Sequence, residues 1–161
     1  MFVAKQVEIE RASRGDSKYV AEMVGELLNE IMGTVGVKAF NFSLDETASR
    51  LGDFLDCDKY FVFVASDKEE GPIGFATLYE SYALYAEGAF GTIAEFYVRP
   101  AFRSSGVGGR LLAHVKAFGA SRGWTRLEVT TPPLPQFDKT LAFYEREGFA
   151  ITGGRKLKTS L

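Results

Sequence analysis

The chain has 161 residues, 46% of them hydrophobic and 25% charged, with a formal net charge of −2 at neutral pH. This length and balance predict a single globular domain over 1–161 and exclude a largely disordered chain. A near-neutral charge without a basic tract argues against nucleic acid as a partner, the single Cys57 excludes an internal disulfide, and the lack of a long apolar run argues against a membrane span.

The N-terminal stretch 1–13 already carries Lys5, Glu8 and Glu10, so it predicts no secretory signal and a cytoplasmic protein. Residues 6–12 alternate and predict a first strand. Tyr19, Val20, Met23, Val24, Leu27, Leu28 and Ile31 then recur at helical spacing, with Asp16 or Ser17 as N-cap. A glycine-broken connection presents Phe40 and Phe42. Ser43, with Glu46 three positions on, has the spacing of a capping box and predicts a second helix to about Leu55.

Strands are predicted over 59–66 and 72–82, joined as an antiparallel hairpin across a charged turn. The first is a nearly continuous apolar run, as expected in mid-sheet. A fourth strand covers 92–98. Val107, Leu111, Leu112, Val115 and Phe118 mark the buried face of a third helix ending near Arg122 and Gly123. A fifth strand over 125–131 runs into Pro132, Pro133 and Pro135, which break regular structure. A final helix begins near Asp138 and stops at Gly148, and the tail is expected to close as a hairpin turning at Gly153 and Gly154. The predicted order is β-α-α-β-β-β-α-β-α-β-β, an α/β domain on a mixed sheet. Strands four and five are joined through a helix and should be parallel.

The stretch from Val98 to Leu112, VRPAFRSSGVGGRLL, leaves a strand and opens a helix. A helix N-terminus presents unpaired N–H groups and a partial positive charge, which suits a phosphate when side chains do not block the approach. Gly106, Gly108 and Gly109 remove that block, and Arg103 adds a cation able to pair with phosphate. No P-loop string exists. The dinucleotide fingerprint fails because Leu111 stands where its third glycine belongs. Arg103, Gly106 and Gly108 do match Arg-x-x-Gly-x-Gly.

With that motif the chain resembles the GCN5-related N-acetyltransferases. The stretch from Ile93 to Trp124 resembles their central acetyl-CoA motif, and LAFYEREGFAITG resembles their C-terminal one. The resemblance implies an acyl-CoA N-acyltransferase fold with strands four and five splayed around the pantetheine arm of acetyl-CoA. Phe96, Tyr97 and Val98 would line that arm, and Ser104, Ser105, Gly106, Val107, Gly108, Gly109 and Arg110 would hold the pyrophosphate. TTPPLPQ departs from the pattern, since many relatives carry an asparagine after the fifth strand. No metal is expected: His114, the only histidine, reads as a solvated helix position.

Glu95 sits within an otherwise apolar strand segment, where a carboxylate must be paired or face a wet cleft. The family often places a general base there, acting directly or through water. Tyr144 resembles the tyrosine that faces the cofactor sulfur and would protonate the leaving thiolate. For the acceptor, loops carrying Phe42, Glu80 and Tyr82 combine aromatic rings with carboxylates, which suits an organic cation. Stretches 72–85 and 93–108 also look similar to the diamine acetyltransferase branch. The expected reaction is direct attack by a primary amine of a small molecule, diamine-like by preference. A protein lysine or N-terminus, and a non-catalytic acyl-CoA-binding module, are the alternatives. The apolar connection from Tyr82 to Phe90 predicts a homodimer.

Overall fold

The computed structural model describes residues 6–161; residues 1–5, with Lys5 of the N-terminal stretch, lie outside the described residues. The chain divides into two compact units, one running to Thr130 and the other covering Thr131–Leu161. In the first unit the elements are β1 (Val7–Arg11), α1 (Ser17–Val35), α2 (Leu44–Leu55), β2 (Tyr60–Asp67), β3 (Gly71–Ala83), β4 (Gly88–Val98), α3 (Val107–Ser121) and β5 (Leu127–Val129). The second unit holds α4 (Asp138–Arg146).

The five strands form one sheet in sequence order. β1 to β4 are antiparallel neighbours, and β5 joins β4 in parallel, as expected for strands linked through a helix. Alternation along β2 sorts the layers. Phe61 and Phe63 stack on Phe118 of α3, whereas Tyr60, one residue earlier, meets Phe54 of α2. Helices α1 and α2 therefore cover one face and α3 the other. Val20, Met23, Phe61, Phe75, Leu78, Leu111 and Leu112 are fully buried between these layers.

Local chemistry explains the helix limits. Ser43 accepts the Glu46 N–H at the start of α2, as the capping-box spacing predicts. Helix α1 ends at Gly36, whose φ of 73° is left-handed. Trp124 is clamped between sheet and helix: a Cβ added to Gly91 of β4 would lie 2.4 Å from its ring, and one added to Gly119 of α3 would lie 2.9 Å away.

Two expectations need correction. β4 begins at Gly88 rather than Thr92, because Ala83, Tyr82 and Ser81 pair with Gly88, Ala89 and Phe90 and extend the hairpin with β3. The closing hairpin does not form: β5 is the last strand among the described residues, and residues 150–161 are exposed. Gly153 keeps its left-handed φ of 73°, but a two-stranded ribbon that buries no face gains too little to hold together.

Candidate active site

One extra residue in β4 sets the site. Leu78 pairs with Ile93 and Thr77 with Glu95, so Ala94 is a bulge. Had the ladder been regular, Thr77 would oppose Ala94, and Glu95 would point to the α3 face. The bulge turns Glu95 to the α1–α2 face, beside Thr77, Tyr79 and Tyr60. There Glu95 Oε2 accepts the Tyr60 hydroxyl at 3.1 Å and the Thr77 hydroxyl. Thr77 Oγ1 in turn accepts the Glu95 backbone N–H at 2.9 Å. Burial, and next the Glu95 charge, push the Tyr60 phenol well above its usual range. Phe54 lies 5.1 Å from the Tyr60 ring, and both Phe54 and Tyr79 are exposed.

Past the bulge the sheet opens. The parallel register of β4 with β5 runs from Gly91 to Ile93, while β4 continues to Val98. The Arg99 N–H bonds Ile73 C=O on the β3 side. Alternation then directs the Phe96 and Val98 N–H groups toward the β5 side, the edge that the family resemblance gives to pantetheine. Val98 C=O accepts Arg103 Nε at 2.7 Å. The Tyr97 side chain is buried, with Phe75 at 6.3 Å and the Arg103 guanidinium 5.4 Å from its ring.

The glycine-rich segment runs from a short 3₁₀ turn, Pro100–Phe102, into α3. Ser104 has φ 60° and Gly106 φ 89°, so the chain curls through the left-handed region twice. A Cβ at Gly106 would meet open space, so the glycine is there for its dihedral. Ser105 Oγ donates to Phe102 C=O, and Arg110 N–H closes the first helical turn on Gly106 C=O. Helix α3 has no side-chain cap and no acidic residue in its first turn. Val107 is buried beneath it, with Gly108 and Gly109 above. An uncapped, acid-free helix start behind a curled loop fits the pyrophosphate of acetyl-CoA.

Sequence reasoning missed what holds this loop. Arg103 donates to both carboxylate oxygens of Glu30, at 2.8 and 2.9 Å, and Arg99 meets Glu26 at 2.9 Å and Pro72 C=O at 2.8 Å. Two arginines four residues apart grip two glutamates four residues apart on α1. The matched spacing was the available signal.

The sequence candidates for the acceptor separate. Phe42 lies on the α1 side, its ring so close to Gly25 that a Cβ there would stand 2.5 Å away. Glu80 and Tyr82 alternate with Tyr79 and fall on the α3 face, opposite Glu95. Glu80 accepts the Trp124 indole N–H at 2.7 Å and the Tyr82 hydroxyl, and lies 3.6 Å from Arg122. It serves as an anchor within the fold. Tyr144 is on α4 in the second unit, buried, with Phe143 and Phe149 each 5.3 Å from its ring. Burial pushes its phenol far above the usual range. Among the described residues no cluster of His, Cys, Asp and Glu could hold a metal, and no helix is long and apolar enough to cross a membrane.

An α/β layer with its fourth and fifth strands parting beside a glycine-rich helix start defines an acyl-CoA N-acyltransferase fold. The sequence profile of the Acetyltransferase (GNAT) family matches residues 26–149, and the chain belongs to that family, whose acetyl donor is acetyl-CoA. Solved structures agree on the fold. An aminoglycoside acetyltransferase from an uncultured soil metagenomic sample is 21% identical, with 97% of each chain covered and a TM-score of 0.76. The aminoglycoside N-acetyltransferase AAC(6')-Iy, solved with CoA, is 18% identical over 96% of this chain and 94% of its own, with a TM-score of 0.77. A ribosomal-protein-alanine N-acetyltransferase from Brucella melitensis is 16% identical over 96% of this chain and 99% of its own, with a TM-score of 0.72. No curated protein matches the chain.

Proposed function

We propose that the protein transfers the acetyl group of acetyl-CoA to a primary amine of a small molecule by direct attack, with a diamine- or polyamine-like cation as the preferred acceptor. The observation that carries this reading is Glu95, turned by the Ala94 bulge onto a face bearing Tyr60, Tyr79 and Phe54. Glu95 meets the attacking nitrogen, and the exposed rings of Tyr79 and Phe54 beside it suit the second cation of such an acceptor.

Acetyl-CoA supplies an activated acyl thioester; the chain binds, orients and moves protons. First-turn amides of α3 and the loop from Ser104 to Arg110 hold the pyrophosphate. Backbone groups of Phe96 and Val98 take the pantetheine amides beside Tyr97. Because Val98 C=O accepts Arg103, its contribution is the N–H. Glu95 receives the proton of the attacking nitrogen, directly or through water, as the C–N bond forms. On the family resemblance Tyr144 returns a proton to the departing sulfur as the C–S bond breaks, and its burial keeps the phenol protonated. Phe42 supplies apolar surface to the acceptor. The protein is cytoplasmic and pairs as a homodimer through the tip of the β3–β4 hairpin.

A thiol-release assay with acetyl-CoA and putrescine, spermidine, an aminoglycoside, a monoamine and a peptide with an open N-terminus tests the reading. Diamines should outpace monoamines, with the gap closing as ionic strength rises. A peptide that outpaces every small amine would move the acceptor to protein. Gly108→Glu should abolish acetyl-CoA binding by calorimetry; unchanged affinity in the folded variant would overturn the loop assignment.

A further inference from the structure

We infer that Tyr60 and Thr77 are positioning residues that pin one oxygen of Glu95 and leave the other to meet the acceptor nitrogen or its bridging water. This rests on the base role given to Glu95 above.

Both hydroxyls converge on the same atom, Oε2. Among the described residues Oε1 takes no hydrogen bond. Thr77 spends its whole hydroxyl here: its O–H goes to the carboxylate, and its lone pair takes the Glu95 backbone N–H. One side chain thus clips both the bulged backbone and the carboxylate it redirects. Thr77 is 1% exposed, so the clip is built into the core. The Tyr60 hydroxyl is different. Thr77 alone satisfies the bulge N–H, and the Tyr60 ring is already placed by Phe54 and by its strand. Its hydroxyl adds nothing to sheet pairing: it donates to Glu95 and lies against the Thr77 hydroxyl that shares the same oxygen. A glutamate side chain held at one oxygen by two donors loses most of its rotamer freedom. Oε1 is then fixed before the acceptor arrives, which is what proton transfer at a set distance needs.

Steady-state kinetics with acetyl-CoA and the fastest amine of the panel test this. Tyr60→Phe keeps the ring and should lower kcat about tenfold, from the loss of one hydrogen bond to a charged group. The KM for acetyl-CoA should not move, and the melting temperature should fall by no more than a few degrees. Thr77→Ser keeps both hydrogen bonds and should retain the rate, whereas Thr77→Val should lose it. Tyr60→Phe added to Glu95→Gln should slow the enzyme no further. The inference is overturned if Tyr60→Phe slows the Glu95→Gln variant by the same factor as wild type, or if kcat falls only in step with acetyl-CoA affinity. A slow Glu95→Gln beside a fully active Tyr60→Phe overturns the brace alone. A fully active Glu95→Gln overturns the base role and the brace with it.

Discussion

Arg103 grips Glu30 of α1 with both terminal nitrogens, at 2.8 and 2.9 Å, while its Nε holds Val98 C=O at 2.7 Å. The residue that opens the phosphate motif is thus tied to the first helix, and Glu30 balances its charge. Removing one partner separates charge from anchorage. Glu30→Gln keeps the shape and leaves the guanidinium without its counter-charge. Acetyl-CoA should then bind a few-fold tighter at low salt, with the gain fading as ionic strength rises. Arg103→Ala loses the Val98 bond and the contact with Tyr97 as well, and should weaken binding by about tenfold or more. Both side chains are partly exposed, at 40% and 33%, so thermal stability should move by about 1 kcal/mol or less. Calorimetry at two salt concentrations separates the effects.

Glu80 is the reverse case, a carboxylate that the sequence suggested for the acceptor. With its side chain 10% exposed and its oxygens accepting from Trp124 and Tyr82, it ties the start of β5 to β3. Glu80→Ala strands the indole N–H and should cost roughly 1–3 kcal/mol, with acetyl-CoA affinity unchanged. The Tyr82 and Trp124 hydrogen bonds hold the Glu80 carboxyl below its usual range. Its stabilising share is therefore present above the ordinary glutamate pKa of about 4.3 and is lost as pH falls below it. Urea unfolding followed by Trp124 fluorescence should show that acid loss, and Glu80→Gln should flatten it.

These two carboxylates show where the sequence was legible. Ser43 with Glu46, and Gly106 before an apolar helix pattern, are signals within one turn of chain, and both produce the expected local structure. The glycine-rich segment opens a helix because its glycine does by dihedral what other residues resist. What escaped depends on partners distant in sequence. The Ala94 bulge decides which face receives Glu95, yet alanine carries no bulge signature. Without that register, Glu80 and Glu95 cannot be assigned to opposite faces. Glu30 lies 73 positions from Arg103 and looks like any solvated helix glutamate. The tail failed for a related reason: Gly153 takes the left-handed backbone of a turn, but a hairpin also needs a surface on which to lie.

Tyr60 and Tyr144 give the fold an alkaline weakness. Burial raises both phenols in the folded protein, so the folded state holds their protons more tightly than the unfolded chain does. Their contribution is complete below the ordinary tyrosine pKa of about 10 and is lost as pH rises past it. Denaturant midpoints measured from about pH 8 to about pH 11 should stay level and then fall steeply. Tyr60→Phe and Tyr144→Phe should each flatten the fall. An equal decline in both variants would place the alkaline loss on other groups.

The tip of the β3–β4 hairpin exposes Tyr82, Leu84 and Tyr85 at 61%, 98% and 76%, whereas Ala86 and Phe90 just beyond are buried. Lys59 lies 5.1 Å from the Tyr82 ring and Arg126 5.2 Å from the Tyr85 ring, each on one face, while Leu84 between them is bare. Contiguous apolar side chains at a hairpin tip mark an interaction surface. Homodimerisation through this tip would bury Leu84 in both copies at once, by symmetry. Sedimentation equilibrium at tens of micromolar should give a dimer. A single Leu84→Glu change places a charge against its own symmetry mate and should weaken association by at least about tenfold. Acetyl-CoA affinity in the resulting monomer should match wild type, because the hairpin tip lies at the end of β4 opposite Val98 and the glycine-rich segment. A Leu84→Glu protein that still sediments as a dimer would move the interface elsewhere, and a wild type that stays monomeric would remove it.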